Sequence, residues 1–160
     1  MKSFKVLTVC LGNICRSPAA QGILEKIATT QKLYLELDSA GTAAYHVGNP
    51  PDSRSISALK KVGIDISGQK AREVSVEDFH EFDWILAMDR ANLINLCKIQ
   101  PEDSPAKVVM FGEFNELANF GEVDDPYYGG TEGFAFMREH LTDIANAFVL
   151  HINSKDNTYR

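Results

Sequence analysis

Short apolar runs alternate along the chain with segments whose apolar residues recur every three or four positions. Four of the runs are rich in β-branched residues and predict buried strands at residues 4–9, 33–39, 82–87 and 107–111. The helical periodicity predicts four helices: one with Ser17 as N-cap and Pro18 in its first turn, one over residues 52–62, one capped by Asp89, and a long one across residues 134–148.

Strands that alternate with helices in this way favour an α/β fold. Crossover helices place consecutive strands in parallel and cover both faces of the sheet. We therefore predict a single domain over residues 1–160, with a four-stranded parallel sheet flanked by helices on both faces. Ligands of such sheets bind at the carboxyl ends of the strands, where the loop that begins at Cys10 is expected to lie.

Composition and charge exclude several classes of protein. The chain has 160 residues, 44% of them hydrophobic and 24% charged, which argues against a disordered chain. Its net charge of −6 argues against nucleic acid as a partner, and the absence of an apolar run of about 20 residues argues against a membrane span. Three cysteines without a secretory signal predict a cytoplasmic protein without a disulfide framework.

The segment between the first strand and the first helix combines three features needed to bind a phosphate group and attack it. Five residues separate Cys10 from Arg16, enough for the backbone to curl into a cup whose N–H groups point inward at a helix N-terminus. Gly12 and Asn13 tolerate the positive φ angles that such a cup requires. Arg16 offers a planar fork for two phosphate oxygens, and Ser17 can hydrogen-bond a Cys10 thiolate that the cup stabilises.

Other readings of the two loop cysteines fit less well. Cys10 and Cys15 would fill only half of a tetrahedral zinc site, and four residues separate them where a thioredoxin-like motif has two. No Gly-Lys-Ser/Thr triplet of a nucleotide-binding P-loop follows. The combined features favour Cys10 as a nucleophile for phosphoryl transfer. We expect no metal and no organic cofactor, because Arg16 and the amide cup supply the positive field.

The residues from Cys10 to Pro18, Cys-Leu-Gly-Asn-Ile-Cys-Arg-Ser-Pro, resemble the signature loop of the low-molecular-weight protein tyrosine phosphatases. The resemblance extends through the Asp-Ser-Ala-Gly-Thr segment at residues 38–42 to the Asp-Asp-Pro-Tyr-Tyr-Gly segment at residues 124–129 and so covers essentially the whole chain. It implies hydrolysis of phosphotyrosine in proteins through a cysteinyl-phosphate intermediate. It also implies Cys10 as nucleophile, Arg16 as phosphate clamp and Asp125 as general acid.

Asp125 can be interpreted either as a general acid or as part of an ordinary turn. Expulsion of a phenoxide, whose conjugate acid has a pKa near ~10, is helped by a placed proton donor. Asp125 precedes a proline that fixes its backbone, and Asp124 together with a bound anion would favour its protonated form. Taken without the Cys10 loop, Asp-Asp-Pro would be merely a turn. With that loop, Asp125 is the predicted acid, and Asp124 is the weaker candidate.

Predicted substrate contacts come from the loop and from three tyrosines. Tyr45 corresponds to an aromatic wall of the cleft in the family, although it could equally be an ordinary loop residue. The full predicted set is Leu11, Gly12, Asn13, Ile14, Cys15, Ser17, Tyr45, Tyr127 and Tyr128. Asn13 and Ser39 resemble residues that brace the loop, and Gln69 stands near where mammalian members carry a histidine.

The remaining cysteines and histidines receive more ordinary assignments. Cys15 either protects Cys10 by forming a disulfide, as the resemblance implies, or packs under the loop. Cys97 is expected in the core, and the four histidines are expected to be surface or structural residues. The chain is expected to act on phosphotyrosine proteins as a monomer or weak homodimer.

Three rival functions differ from this one by specific features. A thioredoxin-coupled arsenate reductase needs two cysteines outside the loop, and only Cys97 lies there. Protein arginine phosphatases of the same fold carry Thr at the position of Ile14, whose apolar side chain suits a phenyl ring better than a guanidinium. A phosphotyrosine-binding module without turnover has no need to keep a nucleophile, a clamp and an acid together.

Overall fold

A computed structural model describes residues 3–115 and 121–154. Four parallel strands form one sheet: β1 (Ser3–Cys10), β2 (Tyr34–Gly41), β3 (Trp84–Ala87) and β4 (Lys107–Met110). The strand order is β2-β1-β3-β4, so β1 pairs with a strand on each side. The predicted four-stranded parallel sheet is confirmed. Central placement of β1 puts its carboxyl end in the middle of the ligand-binding edge.

Helices connect the strands and cover both faces of the sheet. They are α1 (Arg16–Gln31), α2 (Ser53–Lys60), α3 (Asp78–Glu81), α4 (Arg90–Ile99) and α5 (Thr131–Ile152), with a short 3-10 helix at Phe111–Phe114. The sequence analysis missed α3 and the 3-10 helix, because four residues are too few to show helical periodicity. No helix in the described ranges is both long enough and apolar enough to cross a membrane.

Alternate residues of the strands belong to two separate hydrophobic cores, because successive side chains of a strand point to opposite faces of the sheet. Val6, Trp84 and Leu86 pack with apolar residues of α1 and α5 on one face. Leu7 and Ile85 pack on the opposite face against a cluster that includes residues of α3 and α4. The central strands are therefore buried on both sides, which explains why they are continuous apolar runs in the sequence.

The start of α1 differs from the prediction. The helix begins at Arg16, and its N-cap is Cys15, whose side chain makes no capping hydrogen bond. Ser17 is not the N-cap, since its buried hydroxyl lies 3.0 Å from the Cys10 sulfur and accepts a hydrogen bond from Asn13. The Ser17 hydroxyl, which was predicted to cap α1, contacts loop residues instead.

The prediction for Cys97 is wrong, because this side chain is exposed. Ile94 on the same helix is 50% exposed, and the buried positions of α4 are Asn92 and Leu96. The helix is short and contacts the sheet along a narrow stripe, so its apolar residues are not all core residues. The predicted cap of α4 is confirmed: Asp89 accepts from the Asn92 amide at 2.8 Å and forms a capping box with it.

Replacing Phe148 with Ala should lower the free energy of unfolding by about 3–5 kcal/mol. Phe148 is fully buried, with ring centroids 5.5 Å from Trp84 and 5.0 Å from Phe114. Urea unfolding measures the loss. Phe136→Ala on the same helix is the control, because Phe136 is 59% exposed and its truncation should cost less than about 1 kcal/mol. Equal losses in the two variants would contradict this account of the core.

Candidate active site

The segment from Cys10 to Arg16 forms a cup between the last residue of β1 and the first residue of α1. The backbone on either side fixes its position, since the Thr42 amide donates to the Cys10 carbonyl at 2.9 Å and the Ala43 amide to the Leu11 carbonyl at 3.0 Å. Cys10 itself is 2% exposed. The cup lies at the carboxyl edge of the sheet, where the topology predicts a ligand site.

An open cleft with a volume of about 130 Å³ lies above the cup. Ten of the residues proposed from the sequence line this cleft: Cys10, Leu11, Gly12, Ile14, Cys15, Arg16, Tyr45, Asp125, Tyr127 and Tyr128. Asn13 and Ser17 are buried behind the cup and are not among its lining residues. The structure thus brings the predicted set together but divides it into residues that face the cleft and residues that support it.

Asn13 braces the cup from behind. Its φ angle is 58°, so the left-handed conformation expected in this loop occurs here. The side-chain amide donates to Ser17 Oγ at 2.8 Å and to Ser39 Oγ at 2.9 Å, and its oxygen accepts from the Arg72 amide at 3.0 Å. These three bonds satisfy the buried amide and fix the turn of the backbone.

Gly12 was expected to share the positive φ angle, and it does not. Glycine fits this position because the space beside it is limited: an added Cβ would lie 3.0 Å from Cδ2 of the His46 ring. The missing side chain leaves room for that ring beside the cup. This close approach joins two segments distant in sequence, which explains why loop composition alone gave the wrong reason.

Ser17 is placed to donate a hydrogen bond to Cys10. Its Oγ lies 3.0 Å from Cys10 Sγ and accepts from Asn13 Nδ2, so its proton is free to point toward the sulfur or toward the more distant Ala40 carbonyl at 3.4 Å. A donated bond stabilises a sulfur anion. Gln69 extends the same network, because it accepts from Ser39 Oγ at 3.4 Å and donates to the Pro18 carbonyl at 3.1 Å.

Arg16 is buried and held on one side of its guanidinium. Nη1 donates to Asp89 Oδ2 at 2.6 Å and to the Val123 carbonyl at 3.0 Å, while Nε has no hydrogen-bond partner among the described residues. Burial by itself would lower the pKa of Arg16, but the nearby Cys10 sulfur and the bond to Asp89 raise it above its ordinary value. The guanidinium is therefore a fixed positive charge beside the cup.

Sequence reasoning missed the second role of Asp89. One carboxylate oxygen caps α4 through the Asn92 amide, and the other accepts from Arg16. The signal was the position of this aspartate just after β3, at the same sheet edge as the cup. Because carboxyl ends of parallel strands share one edge, a charged residue there can reach the site.

Asp125 lines the cleft close to the second terminal nitrogen of Arg16. Its Oδ1 accepts from the Tyr127 amide at 3.0 Å, and its Oδ2 is 3.5 Å from Arg16 Nη2. The side chain is partly exposed, which leaves it accessible to a bound molecule. Asp124, the weaker candidate, is not among the residues that line the cleft.

Aromatic rings form the walls of the cleft. Tyr45 is 76% and Tyr128 is 96% exposed, while Tyr127 packs edge-on against Tyr128 with ring centroids 5.0 Å apart. His46, which was expected to be a surface or structural residue, lines the cleft as well. Its ring centroid lies 6.3 Å from that of Tyr127 and 6.5 Å from that of Tyr45.

Cys15 is a buried free thiol on the cleft wall. Burial raises the pKa of this thiol well above its usual range, and electrostatic interaction with the nearby Asp52 carboxyl group and Cys10 sulfur raises it further. Its protection of Cys10 through a disulfide stays a prediction. Within residues 3–115 and 121–154, no group of three His, Cys, Asp or Glu side chains is arranged to hold a metal ion.

The chain is similar to known phosphatases in both sequence and structure. The family model for low molecular weight phosphotyrosine protein phosphatases matches residues 5–158. A relative from Schizosaccharomyces pombe with that name is 45% identical over 156 residues, covering 94% of this chain and 98% of the relative. The crystal structure of a protein tyrosine phosphatase from Entamoeba histolytica is 38% identical with a TM-score of 0.88, covering 93% of this chain and 96% of that chain.

A Drosophila arginine phosphatase is also similar in structure, with a TM-score of 0.90 and 32% identity over 95% of this chain and 99% of that chain. The family match and the identity to named relatives are decisive for classification. The chain belongs to the low molecular weight phosphotyrosine protein phosphatase family, and it is a phosphoric monoester hydrolase of that family.

Iodoacetamide should modify Cys15 at least tenfold more slowly than Cys97 at a mildly alkaline pH. The raised pKa keeps Cys15 in the unreactive thiol form, and its burial also blocks access, whereas Cys97 is exposed. Mass spectrometry of digested protein measures both rates. A Cys10→Ser variant serves as the control, since it removes the neighbouring loop thiol. Comparable rates at Cys15 and Cys97 would contradict the buried environment described here.

Proposed function

We propose that the chain hydrolyses phosphotyrosine in proteins through a cysteinyl-phosphate intermediate. The observation that carries the proposal is the joint placement of three groups in one cleft. Cys10 Sγ lies at the base of the cup, Arg16 has a buried donor without a partner among the described residues, and Asp125 stands 3.5 Å from that guanidinium. A nucleophile, an anion clamp and a proton donor are the parts that transfer of a phosphoryl group to sulfur requires.

In the first step, the Cys10 thiolate attacks phosphorus while the bond to the tyrosine oxygen breaks. Arg16 and the inward amides of the cup stabilise the negative charge on the equatorial phosphate oxygens. Asp125 gives its proton to the departing phenolate, which leaves as neutral tyrosine. Ser17 hydrogen-bonds the sulfur before attack and keeps it oriented.

In the second step, Asp125 acts as a base. It removes a proton from a water molecule that attacks phosphorus, and the phosphorus–sulfur bond breaks to release inorganic phosphate. The bond from Ser17 stabilises the thiolate that leaves, so the same hydroxyl supports both steps. Asp125 regains the proton that the next cycle needs.

Residues that line the cleft support tyrosine as the substrate side chain. Ile14 presents an apolar surface, and the rings of Tyr45 and Tyr127 can contact a phenyl ring. A protein arginine phosphatase is the second candidate, because the Drosophila structure that carries that name shares the fold at a TM-score of 0.90. The side chain at position 14 is the feature that separates the two.

We further propose that the chain is one phosphatase domain over residues 1–160 that acts in the cytoplasm as a monomer or weak homodimer. Phosphotyrosine proteins are its partners in this account, and nucleic acids and membranes are not. The proposal rests on the acidic net charge and on the cleft being able to take a side chain from a protein surface.

Cys10→Ser should reduce hydrolysis of p-nitrophenyl phosphate to below about 1% of wild type, because serine is a far weaker nucleophile at neutral pH.

Asp125→Asn should lower kcat/KM for phosphotyrosine peptides by about 10²–10⁴-fold through loss of the proton donor. Asp124→Asn is the matched control and should retain most of the wild-type rate. A larger loss of activity in Asp124→Asn than in Asp125→Asn would assign the role of general acid to Asp124. Full activity of Cys10→Ser would rule out a covalent intermediate on Cys10.

Phosphotyrosine peptides should react with a kcat/KM at least about tenfold above that for matched phosphoarginine peptides, because Ile14 offers an apolar contact and no hydrogen-bond acceptor. Ile14→Thr should lower the ratio of kcat/KM for phosphotyrosine peptides to kcat/KM for phosphoarginine peptides. Ile14→Val is the control, because it keeps an apolar side chain. Phosphate release with both peptide series provides the measurement. A preference for phosphoarginine in the wild type would select the second candidate.

A further inference from the structure

The first turn of α2 contacts both halves of the candidate active site. On the cup side, the Asp52 amide donates to the Ile14 carbonyl at 2.8 Å, and Ser55 Oγ donates to the Cys15 carbonyl at 3.1 Å. Asp52 also caps the helix by accepting from the Arg54 amide. The start of α2 is thereby fixed to the segment that carries the nucleophile.

On the other side, the same turn reaches the segment that carries Asp125. Arg54 Nη2 donates to the Tyr127 carbonyl at 2.9 Å, and Nη1 donates to the Gly129 carbonyl at 3.1 Å. The guanidinium also stacks near two rings, with its central carbon 5.6 Å from the Tyr127 centroid and 4.5 Å from the Phe134 centroid. Residues 122–130 contain no helix or strand, so the contacts that hold them are a backbone bond from the Val123 amide to the Met88 carbonyl and side-chain contacts such as those of Arg54.

Asp52 fixes the orientation of the guanidinium. Its two carboxylate oxygens accept from Arg54 Nε at 3.0 Å and from Nη2 at 2.9 Å, a forked pairing in one plane. The bond to Arg54 is also the main reason that the pKa of Asp52 is lowered. Lysine could supply the charge, but one ammonium group has no planar fork with which to satisfy a carboxylate and two carbonyls in this geometry.

A short path of bonds leads from Arg54 to the proposed acid. Arg54 holds the carbonyl of Tyr127, and the amide of the same residue donates to Asp125 Oδ1 at 3.0 Å. The other carboxylate oxygen of Asp125 then faces Arg16 at 3.5 Å. The position of one carboxyl group is therefore set from both sides, by the Tyr127 backbone and by the cup.

We propose that Arg54 is a positioning residue that sets Asp125 at its working distance from the cup. This inference rests on the proposed role of Asp125 as general acid. Loss of the Arg54 fork releases the carbonyls of residues 127 and 129 and lets the acid shift. The cup keeps the side-chain bonds of Asn13 and the backbone bonds from Thr42 and Ala43. The nucleophile and the phosphate clamp remain, and proton donation becomes the impaired step.

The test is the dependence of kcat/KM on the leaving group in a series of aryl phosphates. Proton donation matters most for poor leaving groups such as phenol, with a pKa near ~10, and least for acidic nitrophenols. Arg54→Met should lower kcat/KM for phenyl phosphate by about tenfold or more and should change it much less for the nitrophenyl esters, since small displacements of a catalytic group are costly. A plot of log kcat/KM against leaving-group pKa should become steeper.

Arg138→Met is the matched control. Arg138 Nη1 donates to the Ala58 carbonyl at 2.9 Å and so ties α5 to α2, and among the described residues the Arg138 side chain makes no hydrogen bond to residues 125–130. This variant should lose stability while keeping the wild-type slope. Arg54→Lys is a second, milder variant that keeps the charge, and we expect it to give an intermediate slope. If thermal unfolding shows that Arg54→Met does not fold, Arg54→Lys replaces it as the test variant.

A double-mutant cycle with Asp125→Asn completes the test. Once the acid is removed, Arg54→Met should add less than about twofold to the loss for phenyl phosphate, because both changes act on one step. Parallel losses across all leaving groups, or full additivity with Asp125→Asn, would overturn the inference and leave Arg54 a purely structural residue. A wild-type slope in Asp125→Asn alone would instead overturn the general-acid assignment, and the inference would fall with it.

Discussion

The left-handed turn at Asn13 is the constraint on which the site depends. A strand that passes directly into a helix leaves few residues in which to turn inward-facing amides around one point, and an αL conformation is costly for a residue with a side chain. Asn13 offsets that cost because its amide makes three buried hydrogen bonds, to Ser17, Ser39 and Arg72. One of these bonds also fixes the position of Ser17 Oγ, which lies 3.0 Å from Cys10 Sγ. Backbone shape and the environment of the sulfur therefore have a common cause.

The proposed anion site of this acidic protein depends on local geometry. The chain carries a net charge of −6, so its long-range field does not attract a phosphate group. Arg16 supplies a buried positive charge, and Asp89 and the Val123 carbonyl occupy only one of its terminal nitrogens. Neutralising the guanidinium completely would weaken the site, and leaving it unbound would let the side chain move. The arrangement fixes it and keeps donors available.

Segments far apart in sequence meet at the cleft because the central strand has a neighbour on each side. β1 ends in the cup, β2 leads to the loop that carries Tyr45 and His46, and β3 ends just before Asp89. The Asp125 segment has no strand to support it. It is held by the bonds of Val123 to Met88 and Arg16 and by the Arg54 fork from α2. A helix outside the sheet thus contacts the segment of the proposed acid.

The sequence by itself determined the four strands, their parallel direction in an α/β fold and the position of the Cys10 loop after β1, because the apolar runs and the loop from Cys10 to Pro18 are local signals. It predicted the contact between Ser17 and the Cys10 sulfur, but it gave the wrong N-cap for α1, the wrong reason for Gly12 and the wrong environment for Cys97, and it missed His46 as a cleft residue. Gly12 and His46 depend on contact between segments that are distant in sequence, and the exposure of Cys97 depends on how α4 packs on the sheet. The double use of Asp89 and the fork of Arg54 also came only from the tertiary structure. Distances between segments far apart along the chain arise from packing, which no local pattern of residues encodes.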